Sequence, residues 1–143
     1  MMELAPATAG YQASQAEVDE VLAWFAQYDQ LVSDKNLDGM ADMAAFPINE
    51  VTDDGGGNGV ATSCDRDRFV AQMQQQMAGG GELQITSTRH PIFLSPELVF
   101  VITDAELAGY GFEQQMRYGD LLIKVEGRWL FQTMVGPGWG SQM

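Results

Sequence analysis

The apolar residues of this chain change rhythm once, near Glu82, and that change limits the folds open to it. Ahead of Glu82 they recur at three- and four-residue steps, the period of a helix face. Beyond it the chain is a series of β-rich runs: 83–90, 92–94, 98–107, 112–125 and 129–135. Ser95-Pro96-Glu97, Ala108-Gly109 and Glu126-Gly127 separate the later runs as turn signals. Leu121, Ile123 and Val125 alternate with polar neighbours, as do Trp129, Phe131 and Thr133. Consecutive strands with short turns predict a curved antiparallel meander covered by the helices. The expected class is α+β.

In the first half, Ser14 and Glu17 have the spacing of a capping box, in which hydroxyl and carboxylate each satisfy a backbone amide. Val18, Val21, Leu22, Phe25 and Val32 form one helical stripe, with Trp24, Tyr28 and Leu31 as a second beside it. Asn36 can cap a short helix carrying Leu37, Met40 and Met43, which Pro47 should stop. Residues 46–53 read as a strand, and Asp54 to Gly59 as a turn or loop. A third helix is expected from Thr62 or Ser63, with Phe69, Val70, Met73 and Met77 on one face and Gly79 to Gly81 ending it. Residues 1–13 read as a flexible leader and 14–143 as one domain.

At 143 residues and 15.7 kDa the chain has the size of a single domain. Seven Lys and Arg against twenty Asp and Glu leave a net charge of −13, which repels nucleic acid and anionic membrane surfaces. With 45% apolar residues it can still bury a core. The lone Cys64 excludes an intrachain disulfide and every multi-cysteine zinc pattern. No signal-like start and no run of about 18 apolar residues is present, so the expectation is a soluble cytoplasmic protein.

Asn36-Leu-Asp-Gly39, Val51-Thr-Asp53, Asp65-Arg-Asp-Arg-Phe69 and Glu126-Gly-Arg-Trp-Leu-Phe131 occur in an order that resembles the nuclear transport factor 2-like superfamily. The resemblance spans roughly residues 15–135 and is strongest to small SnoaL-like and ketosteroid-isomerase-like proteins. It implies a cone whose curved sheet wraps a helix and leaves a pocket between them, and a homodimer through the outer sheet face. Tyr118, Leu122 and Leu130 are the residues expected to make that face apolar. Matched to the isomerases, Tyr28 takes the place of the oxyanion hydrogen-bond donor and Asp53 that of the base. The second donor, a protonated aspartate, falls on Leu121, which cannot donate; Asp120 is adjacent, but one step along a strand points to the other face.

Two functions follow as expectations. One is a module that binds a small, largely apolar, neutral or cationic organic ligand between the first helix and the sheet, against Trp24, Phe46, Met73, Phe131 and Met134. The other is an isomerase, dehydratase or cyclase that needs no cofactor, with Asp53 as general base and Tyr28 as hydrogen-bond donor. Against these stand plain alternatives: Asp53 as turn chemistry, Tyr28 and the methionines as core. The single His90 has no recognisable nucleophile beside it. Glu50, Asp53 and Asp54 lack the spacing of a metal site, and the two triple-glycine segments lack the lysine of a phosphate loop.

Overall fold

A computed structural model describes residues 10–77, 84–109 and 112–138. Most of the expected leader and the Gly79 to Gly81 stop lie outside the described residues. The helix α1 spans Gln15–Ser33, and Ser14 caps it as its sequence predicts: Oγ accepts from the Glu17 amide while Glu17 Oε1 accepts from the Ser14 amide. Val21 and Phe25 are buried, Trp24, Tyr28 and Leu31 are half-buried, and Leu22, expected inward, is exposed. The short α2, Leu37–Ala41, begins where Asn36 Oδ1 accepts from the Gly39 amide at 2.9 Å. Pro47 does not stop α2 but lies inside the next strand, after a cis peptide bond from Phe46.

That strand, β1, runs Ala44–Asp53 and turns through Asp54 into β2, Gly59–Cys64. Asp54 Oδ1 accepts from the Gly56 and Asn58 amides, which closes the turn and holds the carboxyl below the usual carboxylate range. β2 replaces the helix start expected at Thr62 or Ser63. The helix α3, Arg66–Met77, begins instead after Asp65, whose Oδ1 accepts from the Arg68 amide at 2.8 Å. The strands β3 (Gln84–Ser95), β4 (Leu98–Gly109), β5 (Phe112–Val125) and β6 (Arg128–Val135) follow as the expected meander, with 83–90 and 92–94 fused into one strand.

The six strands are ordered β2-β1-β6-β5-β4-β3 in an open sheet. It is mixed rather than wholly antiparallel, because β6 returns beside β1 in parallel. Between Leu121 and Leu122 the pairing with β6 slips, since Leu121 faces Thr133 and Leu122 faces Phe131, leaving Gln132 over as a bulge.

One face of this sheet packs on the helices. Val99 and Val101 of β4, Leu122 of β5 and Trp129 and Phe131 of β6 form one core with Val21 and Phe25. Ile48 and Cys64 form a second with Met40, Ala41 and Phe69. Tyr28, Ala44 and Met134 pack against both and join them. The opposite face is also apolar. Paired rows Ile92–Phe100–Leu121 and Leu98–Ile123–Leu130 cross it, with Leu94 62% and Ile92 51% exposed. Leu130 lies there as expected. Leu122 and Tyr118 do not: Leu122 is fully buried in the inner core, and Tyr118 reaches inward to Arg89.

Candidate functional site on the concave face

Strand parity decides which side chains enter the cone. On β1 the even-numbered residues face inward, so Phe46 and Ile48 pack in the second core and Glu50 and Thr52 continue the same face. Asp53 has the other parity. Expected to point into the pocket, it is exposed, and its two oxygens accept from the amides of Gly55 and Gly138 at 3.2 and 3.3 Å. It therefore secures loop backbone at the strand end, and Tyr28 and Asp53 are not brought together on the inner face.

Tyr28 does face the interior, stacked parallel to Trp24 and edge-on to Phe131 at 4.7 Å between ring centres. Trp24 also donates its indole N–H to the Trp129 carbonyl at 2.9 Å and meets Phe131 edge-on at 4.6 Å. Phe131 is 2% exposed. Phe131 is thus core, with the half-buried Trp24 packed against it. Phe46, against the Phe69 ring, and Met73 and Met134 are each only half-buried. These three, like Tyr28, pack against the second core without being fully buried.

The polar groups on this face were mostly not legible in the sequence. Asp120 is 4% exposed, and burial pushes its carboxyl up to about 7, opposed by the charge of Arg89. No hydrogen-bond donor reaches it among the described residues. The Tyr28 phenol is raised, first by burial and then by the charge of Asp120, so the two groups sense each other across the cone. Arg89 lies over the Phe25 ring at 4.3 Å and forms a two-pronged ion pair with Asp29 at 2.7 and 3.2 Å. It also donates to Thr103 Oγ1, so its charge is already answered from within the chain.

Asp120 pairs with Met134, Met134 with Glu50, and Glu50 with Thr62, placing these four in one row across four strands. Glu50 Oε1 and Thr62 Oγ1 are sealed from solvent and lack hydrogen-bond partners. Cys64, next on that face of β2, is buried, and its thiol is pushed up to about 12 by burial and the Glu50 charge, the opposite of an activated nucleophile. Trp129 Nε1 also lacks an acceptor, and nothing nearby accounts for it.

A concavity of about 620 Å³ lies on β3, β4 and β5, lined by Thr86, Thr88, Asp104, Glu106, Met116 and Arg117. Its charges are matched: Asp104 accepts from Arg117 at 2.6 and 3.1 Å and sits 3.3 Å from His90, and Glu106 accepts from Gln115. Among the described residues no three His, Cys, Asp or Glu converge to hold a metal, and no helix is long and apolar enough to cross a membrane.

No family profile and no curated protein sequence matches the chain. Solved structures do. An NTF2-like protein of unknown function from Pseudomonas putida KT2440 superimposes with a TM-score of 0.70 at 13% identity, over 87% of each chain. A domain of unknown function with a cystatin-like fold from Nostoc punctiforme gives 0.66 at 13% identity, over 87% of this chain and 78% of that one. ActVI-ORFA from Streptomyces coelicolor gives 0.64 at 12% identity, over 85% and 96%.

Proposed function

We propose, from the nuclear transport factor 2-like fold that this chain has, that its cone binds a small, largely apolar organic molecule against Tyr28, Phe46, Met73 and Met134. One observation carries this reading. The inner face is sealed around Phe131 and Leu122, yet where the two cores meet it leaves apolar side chains half-buried beside the buried carboxyl of Asp120. A surface that is apolar with a few convergent polar groups is the ordinary make-up of a ligand site. Trp24 and Phe131 serve as its floor. Mass spectrometry of protein purified without denaturation, compared with Met134→Trp to fill the cone, tests it. A small molecule retained by the native chain and lost from the variant is expected; equal retention would contradict it.

A second reading, proton transfer without a cofactor, is favoured by Asp120 specifically. A carboxyl held near 7 is poised to take a proton from a carbon acid, with Tyr28 donating to the oxygen where charge collects. Asp53, exposed and engaged by amides, gives up the base's role to Asp120 in this reading. On an assayable isomerase, dehydratase or cyclase substrate, Tyr28→Phe should slow turnover about a hundredfold and Asp120→Asn should abolish it. Full activity in Asp120→Asn would end the reading.

The apolar outer face supports a homodimer, with rows Ile92–Phe100–Leu121 and Leu98–Ile123–Leu130 as its contact. A second copy covers such a face without a second kind of surface, because a two-fold contact is self-complementary.

A further inference from the structure

The groove on β3 to β5 has its charges paired internally, and the outer apolar rows are already assigned to a second copy. What stays unanswered is the row Thr62–Glu50–Met134–Asp120.

We propose that Glu50 and Asp120, on either side of Met134, form the polar end of the ligand site and select a ligand bearing an ammonium or similar nitrogen donor group. The proposal rests on the reading of the cone as a ligand site and names the class of molecule it takes. Glu50 and Asp120 lie one strand to each side of Met134, so their backbones are about 10 Å apart. Both side chains share the inner face of the sheet. Ionised carboxylates only accept hydrogen bonds, and an ammonium only donates them, with three N–H groups to share.

Among the described residues, Glu50 Oε1 and Thr62 Oγ1 are sealed and unpartnered, and no donor reaches the nearly fully buried Asp120. Two cations share this face: Arg89 is held by Asp29 two-pronged, and Lys124, on the same face of β5 as Asp120, pairs with Glu20 at 3.6 Å, so both are engaged elsewhere. Glu50 Oε1 therefore has an unfilled place for a donor, and Asp120 has another once it has lost its proton. A carboxylate ligand would add a further acceptor beside them. The net charge of −13 works in the same direction, raising the local concentration of organic cations. Met134 between the carboxyls gives the carbon next to the nitrogen an apolar contact.

The test uses three probes of one shape: a naphthylmethylamine, the matching alcohol and the matching carboxylate. Each is titrated into the full chain carrying ¹³C-methyl methionine, with Met134 identified by Met134→Leu. The expected result is a shift of the Met134 methyl by all three, with the amine bound about tenfold or more tighter than the alcohol and the carboxylate weakest. Glu50→Gln should bring the amine down to about the alcohol's affinity. Equal binding of amine and alcohol at Met134 would overturn the proposal and leave the cone as a ligand site. Failure of all three to move Met134 would overturn both. If Glu50→Gln does not fold, Thr62→Val and the three-probe comparison on the unaltered chain decide the matter.

Discussion

At the residue scale, the concave face is unusual for what it leaves buried without a partner. An acidic side chain kept there should show in the pH dependence of stability. Asp120 titrates near 7 in the folded chain against about 3.9 when unfolded, because burial disfavours its charged form. Between those values the native state holds a proton that the unfolded chain has released. Its contribution therefore lowers stability as pH rises through that window and levels off above about 7, with a steepest slope of about 1.4 kcal/mol per pH unit. Asp120→Asn removes the slope. In urea unfolding its stability relative to the parent should improve from about pH 5 to about pH 8. A difference that stays the same at both pH values would mean that Asp120 is not buried as described. Sequence alone could not find this residue. Leu121, Ile123 and Val125 alternate with Asp120, Leu122 and Lys124, but it is the first set that faces outward, and Asp120 and Leu122 carry the inner face. When both faces of a strand are apolar, periodicity cannot say which is which. Asp53 lies off the inner face for a related reason: Glu50, three residues earlier, has the inward parity, and Asp-Asp-Gly is a turn.

Among the elements, those whose boundaries rest on local chemistry agree with their sequence. The Ser14 capping box starts α1, and Ser14→Ala should cost about 1 kcal/mol of global stability by denaturant unfolding. Asn36 likewise starts α2. The misread element is β2, where Gly59 to Cys64 has too few strong strand formers to announce itself and gains its order from pairing with β1. The parallel return of β6 beside β1 depends on contacts far apart in sequence and was equally invisible. On β5, Gly119 lies under the Phe100 ring, and a Cβ there would meet Phe100 Cζ at 2.6 Å. Gly119→Ala should therefore push that ring out of its row on the outer face. The expected consequence is a weakened dimer with little change in the inner core, read as a raised dissociation constant in sedimentation and unaltered near-UV circular dichroism. An unaffected dimer would place the contact elsewhere than the Phe100 row.

For the whole molecule, a sheet apolar on both sides has two surfaces to cover: the helices cover one, and the proposed dimer would cover the other. Leu94→Asp together with Ile92→Lys should leave a folded monomer in sedimentation at micromolar concentration, where the parent sediments as a dimer. The α+β class, the cone and the order of helices and meander were legible in the sequence because helical and strand periods segregate along the chain. The inner site was not, because it is assembled from α1, β1, β5 and β6 by register rather than by any local motif. Its central claim is that small molecules enter the cone and not the groove on β3 to β5. The ¹³C-methyl spectrum of methionine-labelled protein separates the two, since Met73 and Met134 report on the cone and Met116 on the groove. Titration with the naphthylmethylamine should move Met73 and Met134 and leave Met116 in place; shifts confined to Met116 would contradict the account.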